Sequence, residues 1–258
     1  VLEFGEEGVG AGRFTDARTV AADARGRVYV GEYSGGRVQV FDSLGAFATQ
    51  WTADPEMPLL DLAADRGGTV YAVQSGRIRR YEGATGRPLG EVRVPGGESV
   101  SDLALAPDGS LWAVTWPSGI VHLGADGAER LRIDTRDAIG GNASPARVAV
   151  SGAGDVYVLD QWSGEVYRLD RGGRFVDRFG GKGQGAGQLA SPTNLAVDGR
   201  GRVYVSDMGG GIRVFGADGR YLDSFGPGVV FGFAFTDRDE LWAAYRNRHR
   251  VVKFRLRE

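Results

Sequence analysis

The chain has 258 residues, of which 31 are Lys or Arg and 33 are Asp or Glu, so its net charge is -2 and no overall positive field would attract nucleic acid or an anionic membrane. It has no cysteine, which excludes disulfide bonds, cysteine nucleophiles and thiolate metal ligands. Its 43 glycines indicate many tight turns, as a succession of short antiparallel strands requires.

One pattern of four short strands recurs six times along the chain, and its clearest copy is residues 191–226. The second strand of each copy is its best marker, because it is the most regular apolar run. These runs begin at Val28, Val70, Leu111, Val156, Val203 and Leu241. A period of roughly 40 to 50 residues with four strands in each repeat is typical of a β-propeller blade. One blade cannot bury both of its faces, so such repeats must stack on one another.

The repeat predicts an all-β fold: a six-bladed β-propeller of four-stranded antiparallel blades, formed as a single domain over residues 1–258. The predicted blades are residues 6–52, 53–95, 96–136, 137–180 and 181–226, with the sixth formed by 227–258 plus 1–5. The sixth copy ends after its third strand, whereas residues 1–5 match the fourth-strand pattern of the other copies. We therefore expect the N-terminal strand to pair with residues 250–257 and close the ring, which removes exposed sheet edges.

Two glycine-rich stretches carry a family resemblance: FGEEGVGAGRF at residues 4–14 and FGGKGQGAGQL at residues 179–189. Each leads into a first strand and then into a second strand of the VYV type. With these features the chain resembles the NHL-repeat six-bladed β-propeller family over essentially its whole length. Blades 1 and 5 match closely, blade 4 matches less closely, and blades 2, 3 and 6 lack the glycine-rich stretch. The resemblance implies the fold and leaves the function open, since such propellers include sensors, protein binders, RNA binders and a few enzymes.

First strands line the central channel of a propeller, so the residues that start them should ring its mouth on one face. In blade order these residues are Thr19, Asp61, Asp102, Arg147, Asn194 and Gly232. Asp61, Asp102 and Asn194 offer oxygen ligands suited to Ca²⁺ or Mg²⁺, the one cofactor that the pattern suggests. Two alternatives stay open: water and ion pairs fill the channel mouth, with Arg147 neutralising one aspartate, or the ring binds an organic ligand.

The loops that join second to third strands are expected on the same face, and they are rich in aromatic and charged residues. They carry Glu32, Tyr33, Gln74, Thr115, Trp116, Asp160, Gln161, Trp162, Asp207, Met208, Tyr245 and Arg246. Such a mixture is typical of surfaces that bind sugars, peptides or proteins. From it we predict a ligand-binding set of Glu32, Tyr33, Trp116, Asp160, Trp162, Asp207 and Tyr245, together with Asp61, Asp102, Arg147 and Asn194 of the channel mouth. The alternative for Trp116 and Trp162 is that they cover neighbouring blades. Trp112 and Trp242 lie within second strands and are expected in the core.

Other motifs that suggest chemistry do not meet its requirements. Lys182 lies in a glycine-rich run, but no Ser or Thr follows it and a strand comes next, so this is not a phosphate-binding loop. His122 and His249 occupy dissimilar positions and cannot supply the histidines that hold zinc in the amidating lyases of this fold. The Asp-Gly pairs are expected to form hairpin turns, and they begin at Asp108, Asp126, Asp198 and Asp218.

The leading functional hypothesis is a non-enzymatic recognition module that binds a protein or small ligand on the loop face around the channel. Resemblance to propeller sensor domains of bacterial membrane kinases implies an extracytoplasmic location, whether secreted, periplasmic or membrane-tethered, within a larger bacterial protein. The absence of an initiator methionine is consistent with a processed product or part of a longer chain. We expect no membrane insertion by this segment, although a membrane-anchored parent protein is compatible with it.

Two further hypotheses differ in class. The first is a Ca²⁺- or Mg²⁺-dependent lactonase-like or lyase-like enzyme with its metal at the channel mouth and Glu32 or Asp160 as general base. The second is RNA binding through a set of arginines: Arg18, Arg147, Arg246, Arg248 and Arg250. Carboxylates on the same face would repel phosphate, so no nucleic acid partner is expected.

Overall fold

A computed structural model describes residues 1–140, 143–226 and 228–256. It contains six four-stranded antiparallel sheets, which are the six blades of a β-propeller, and the fold predicted from the repeat is confirmed. The chain divides into two compact units, Val1–Arg93 with Val230–Glu258 and Val94–Val229. Blades 6, 1 and 2 belong to the first unit and blades 3, 4 and 5 to the second.

In the first unit the strands follow the predicted order. Blade 1 comprises Ala17–Ala22, Val28–Glu32, Arg37–Phe41 and Phe47–Thr52, and blade 2 comprises Leu59–Ala64, Thr69–Gln74, Arg77–Glu82 and Pro88–Val92. Blade 6 comprises Gly232–Phe235, Leu241–Tyr245, Arg250–Phe254 and the N-terminal Leu2–Phe4. A short parallel pair, Glu6–Glu7 with Arg13–Phe14, lies in the glycine-rich stretch before blade 1, and a 3₁₀ turn forms at Arg246–Arg248.

In the second unit the three blades repeat the same plan. Blade 3 comprises Val100–Leu105, Leu111–Thr115, Gly119–Leu123 and Glu129–Asp134, and blade 4 comprises Pro145–Val150, Val156–Asp160, Glu165–Leu169 and Phe175–Gly180. Blade 5 comprises Pro192–Val197, Val203–Asp207, Gly211–Phe215 and Tyr221–Phe225. One short α-helix, Thr135–Ile139, follows blade 3. None of the helices in the described part of the chain has the length and apolar character of a membrane-spanning segment.

Ring closure by the N-terminal strand is confirmed. Leu2 pairs with Lys253 and Phe4 with Val251 in an antiparallel register. Phe4 also anchors the strand, because its ring centroid lies 4.5 Å from that of Phe41 and 6.0 Å from that of Trp242. The predicted partner range of 250–257 is observed as Arg250–Phe254, and residue 257 lies outside the described residues.

Each core forms between the faces of neighbouring blades within a unit, because the second strands are buried on both sides. Trp242 packs in the core shared by blades 6 and 1, and Trp112 packs in the core shared by blades 3 and 4, as their positions in second strands predict. His122 stacks on Trp112 with a centroid separation of 4.2 Å and an interplanar angle of 6°. His122 is thus a packing residue at the edge of this core.

Aspartate side chains stabilise the turns within blades. Asp198 accepts hydrogen bonds from the backbone N–H groups of Arg200 and Arg202, and also from the Arg202 Nε and the Tyr204 hydroxyl. Asp23 makes the same four kinds of bond in blade 1. The predicted Asp-Gly turns are confirmed, since Asp108, Asp126, Asp198 and Asp218 each accept from the backbone N–H two residues later.

We expect a chain that starts at Glu6 to melt at a clearly lower temperature than the full chain. Without Leu2–Phe4 the strand Arg250–Phe254 becomes an unpaired edge, and the Phe4 ring leaves the aromatic cluster. Phe4→Ala alone should cost about 2–3 kcal/mol, or roughly 5 °C or more in melting temperature. Thermal unfolding followed by circular dichroism measures both, with the exposed Glu3→Ala as the control. An unchanged melting temperature on deletion would contradict the role of closure.

Candidate functional site

Three exposed apolar side chains stand on equivalent loops of the second unit. Trp116, Trp162 and Met208 are 74%, 82% and 44% exposed, and each follows the second strand of its blade. Blades 3, 4 and 5 are consecutive, so their second strands end at the same edge of the unit. Neither tryptophan covers a neighbouring blade, because most of its surface faces solvent. We call these three side chains the apolar arc.

Buried carboxylates hold two of these loops in place. Asp160 is 2% exposed and accepts hydrogen bonds from the backbone N–H groups of Ser144 at 3.0 Å and Trp162 at 2.8 Å. Asp207 is 1% exposed and accepts from the N–H groups of Ala190 at 2.6 Å, Ser191 at 2.8 Å and Gly209 at 2.9 Å. Each carboxylate therefore joins the end of a second strand to the segment that precedes its blade's first strand.

Glu32 has the same task in the first unit. Its Oε1 accepts from the Thr15 N–H at 2.6 Å, the Thr15 hydroxyl at 2.8 Å and the Asp16 N–H at 3.2 Å, while Arg37 Nε donates to Oε2. Burial opposes ionisation of this carboxyl, but the Arg37 guanidinium and the Thr15 donors outweigh it and hold the pKa of Glu32 below its usual range. Gln74 does this work in blade 2 with a neutral amide, bonding both the N–H and the C=O of Asp54.

The sequence contained a signal for this arrangement that our prediction did not use. Four of the six second strands end in a side chain with an acceptor oxygen and enough reach to bond a neighbouring backbone: Glu32, Gln74, Asp160 and Asp207. A position that recurs with the same chemistry in a repeat is explained by the repeat's own architecture. A role in contacting a ligand stays a prediction for Glu32, Asp160 and Asp207, whose carboxylates are already bonded to backbone groups.

At the channel-mouth positions of the second unit, side chains link the three first strands. Asp102 is 4% exposed, and its Oδ2 accepts from the Val148 N–H at 2.7 Å. Arg147 Nε lies 3.6 Å from Asp102 Oδ1 and donates to the Thr193 C=O at 3.1 Å. Asn194 Oδ1 accepts from the N–H of Leu195 at 2.6 Å. Arg147 thus ion-pairs with one aspartate and bridges blades 3, 4 and 5.

The channel-mouth positions of the first unit are packed differently. Thr19 is buried and its hydroxyl donates to the Gly31 C=O at 3.4 Å. A Cβ on Gly232 would lie 2.2 Å from the Arg18 carbonyl oxygen, so only glycine fits at that point. Asp61 is half-buried at the third residue of its strand. In the described part of the chain no three His, Cys, Asp or Glu side chains are grouped as metal ligands.

A cluster that the sequence analysis missed surrounds Asp16 in the first unit. Arg18 donates to the Asp16 carboxylate through Nε and Nη2, both at 2.9 Å, and Arg246 Nε donates at 2.6 Å. The Arg18 guanidinium stacks 4.0 Å from the centroid of the Tyr33 ring, and Arg246 lies 5.4 Å from that of Phe231. Burial opposes ionisation of Asp16, but the two arginines lower the pKa of Asp16 below its usual range.

The cluster assigns a contact to one predicted binding residue, Tyr33, and to two of the arginines proposed for RNA. Tyr33 is the stacking partner of Arg18, whereas Tyr245 is 3% exposed within blade 6, where burial raises the pKa of its hydroxyl. Arg18 and Arg246 share one carboxylate. No sequence signal within a single blade identifies this cluster, because Asp16 and Arg246 are 230 residues apart.

Comparison with known proteins gives matches among solved structures alone. No protein family profile matches the chain, and no curated sequence does. A gluconolactonase from Xanthomonas campestris is 20% identical with a TM-score of 0.71, covering 93% of this chain and 86% of that one. A streptogramin B lyase is 14% identical with a TM-score of 0.68, covering 95% and 84%. An inactive virginiamycin B lyase from Staphylococcus aureus, with quinupristin, is 12% identical with a TM-score of 0.68, covering 93% and 81%. These likenesses show the fold alone.

We expect Glu32→Gln to remove part of the acid sensitivity of this fold. A carboxyl whose pKa is lowered on folding stabilises the protein above its ordinary pKa, and that contribution disappears as the pH falls through the lowered value. The variant should therefore lose about 2 kcal/mol of unfolding free energy at pH 7 and less at pH 3. Urea unfolding at both pH values measures this difference, with the exposed Glu7→Gln as the control. An equal loss at the two pH values would contradict the assigned ion pair.

Proposed function

We propose that the chain is a non-enzymatic recognition module that binds a protein or small ligand on the loop face of the propeller. The apolar arc is the observation that supports this function. Two tryptophans more than 70% exposed on consecutive blades leave a large apolar area in water, and binding a partner would bury it. Asp160 holds the Trp162 loop and Asp207 holds the Met208 loop. The loss of loop conformational entropy on binding is therefore small.

The proposed binding surface has two kinds of residue. Trp116, Trp162 and Met208 are available for direct contact in the second unit, and in the first unit the predicted member Tyr33 stacks on Arg18. The other predicted members would hold the loops and strand ends in position or contact the partner at the base of the loops. They are Glu32, Asp61, Asp102, Arg147, Asp160, Asn194, Asp207 and Tyr245. Nucleic acid is not a proposed partner, because Arg18 and Arg246 are already neutralised in part by Asp16.

We further propose that residues 1–258 form one NHL-type propeller domain of a larger extracytoplasmic bacterial protein. The six-fold repeat and the glycine-rich stretches before blades 1 and 5 support the family assignment. The location is proposed by analogy with propeller sensor domains, and no membrane insertion by this segment is proposed.

The second candidate is a metal-dependent enzyme of the lactonase or lyase class. Its support is the likeness to a gluconolactonase and to two lyases of this fold. Asp61, Asp102 and Asn194 would then supply oxygen ligands for Ca²⁺ or Mg²⁺. Against this, the Asp102 carboxylate is already bonded to the Val148 N–H and paired with Arg147. We therefore rank this candidate below the recognition module.

We expect Trp116→Ala and Trp162→Ala each to weaken ligand binding by about tenfold or more while leaving the melting temperature within about 2 °C of the wild type. Both side chains are exposed, so their loss removes contact area with the ligand and little packing. Ligands would be selected from a peptide display library and a glycan array, and affinities measured by calorimetry. The control is Val176→Ala, an exposed apolar residue on the outer strand of blade 4. Equal affinity for all three variants would contradict the proposed surface.

Titration with CaCl₂ or MgCl₂ separates the two candidates. A metal held in the folded state raises the melting temperature by mass action, whereas a recognition module without a resident metal shows no shift. We expect no shift of the melting temperature up to millimolar metal concentrations. The Asp102→Asn variant should likewise melt at the same temperature with and without metal. A saturable rise that Asp102→Asn abolishes would favour the enzyme instead.

A further inference from the structure

Blade 5 contains a pocket of about 400 Å³ next to the apolar arc. It lies between the loop that joins the second and third strands and the end of the fourth strand. Its walls are formed by Met208, Gly209, Gly210, Gly211, Ser224, Phe225 and Gly228. The glycines leave the floor without side chains, while Met208 and Phe225 provide apolar walls.

The Arg213 guanidinium stands against two members of this wall. Arg213 is the direct cross-strand partner of Ser224, so the two side chains project from the same face of the sheet. Its Nη2 lies 2.7 Å from the point where a Cβ on Gly210 would be, and its Cζ lies 3.2 Å from that point. The absence of a side chain at Gly210 therefore gives the guanidinium its space beside the pocket.

Arg213 has no protein partner within residues 1–140, 143–226 and 228–256. Its side chain makes no hydrogen bond or ion pair there, and its Nε is buried without an acceptor. The three aspartates nearest in sequence accept hydrogen bonds from backbone groups: Asp207 from three N–H groups, Asp218 from the Arg220 N–H and Asp223 from the Ser224 N–H. A buried donor without an acceptor is costly, and a bound anion is one way to satisfy it.

The other blades show that this position is ordinarily satisfied. Equivalent positions are found by counting from the first valine of each second strand, which is Val28, Val70, Val156 or Val203. The residue opposite the third position is then Gln39 in blade 1, Arg79 in blade 2, Tyr167 in blade 4 and Arg213 in blade 5. Gln39 bonds to Gly12 and Arg13, Arg79 to Asp54, and Tyr167 to Glu165. Among these four polar side chains, blade 5 alone has a charged group without a partner in the described chain.

We propose that the blade 5 pocket binds a small ligand through its carboxylate or phosphate oxygens, with Arg213 as the charged donor. A guanidinium presents a planar fork of N–H groups that matches two oxygens of either group. The Ser224 hydroxyl is a neutral second donor in the wall, and Met208 and Phe225 contact the ligand's apolar part. This proposal rests on the proposed function, because it assigns a ligand class to the same loop face.

Phenylacetate and phenyl phosphate are suitable probes, since each joins an anionic group to a ring that fits between apolar walls. Titration of the full 258-residue chain is followed by NMR at the Arg213 Nε–H and at the N–H groups of Gly209, Gly210 and Gly211. We expect saturable shifts with at least one probe, and Arg213→Gln should weaken binding by about tenfold or more. Arg220→Gln removes one exposed charge from a turn of the same blade and is the matched control, with unchanged affinity.

A second variant tests the geometry without changing charge. In Gly210→Ala the new methyl group must displace the guanidinium, so affinity should fall although Arg213 is retained. Gly210→Ala also tests the role of Arg213 if Arg213→Gln is too unstable for a binding measurement.

Tighter binding of phenylacetate identifies carboxylates as the ligand class, and tighter binding of phenyl phosphate identifies phosphates. Absence of saturable shifts with both probes, or equal affinity in Arg213→Gln and Arg220→Gln, overturns the proposal. The tryptophan variants test the recognition function separately, because their selected ligands need not occupy this pocket.

Discussion

In four of the six blades, the loops depend on a hydrogen-bond acceptor buried at the end of the second strand. The segment that leads into the first strand of a blade comes from the fourth strand of the preceding blade. Its backbone N–H groups lie outside the sheets and have no strand partner. Glu32, Asp160 and Asp207 satisfy those groups with carboxylate oxygens, and Gln74 does so with an amide. At Glu32 such bonds, together with the Arg37 guanidinium, outweigh the effect of burial and hold the pKa of the carboxyl below its usual range.

This constraint separates architecture from recognition along each loop. In blades 1, 2, 4 and 5 the last side chain of the second strand bonds backbone groups, whereas in blade 3 the Thr115 hydroxyl has no hydrogen-bond partner among the described residues. The next one or two residues carry exposed side chains in the second unit. In blades 3, 4 and 5 those residues are Trp116, Trp162 and Met208. A loop whose base is fixed by several hydrogen bonds presents its tip at low entropic cost, which suits a binding surface.

The two units stabilise their first strands in different ways. In blades 3 to 5 the Asp102–Arg147 ion pair and the bond from Arg147 to Thr193 join three strands through side chains. In the first unit the backbone itself makes the close approach, because Gly232 lies directly against Arg18 and Thr19. The channel-mouth position is therefore equivalent in every blade of the repeat, but its side chains make different contacts in different blades. A shared metal site is one of several interpretations of this position.

Periodicity was sufficient to predict the propeller, its six blades, the closing strand Leu2–Phe4, the Asp-Gly turns and the buried Trp112 and Trp242. These features follow from local patterns: alternation of apolar residues along strands, turn residues, and the comparison of each repeat with the other five. The tertiary structure alone decided which polar side chains are already bonded. Asp160, Asp207 and Arg213 are equally polar in sequence, yet the two aspartates meet backbone N–H groups from an incoming loop and Arg213 meets no acceptor in the described chain. Partners of this kind come from segments 16 or more residues away, such as Ser144 for Asp160 and Arg246 for Asp16. A pattern read along the chain has no means of measuring that proximity.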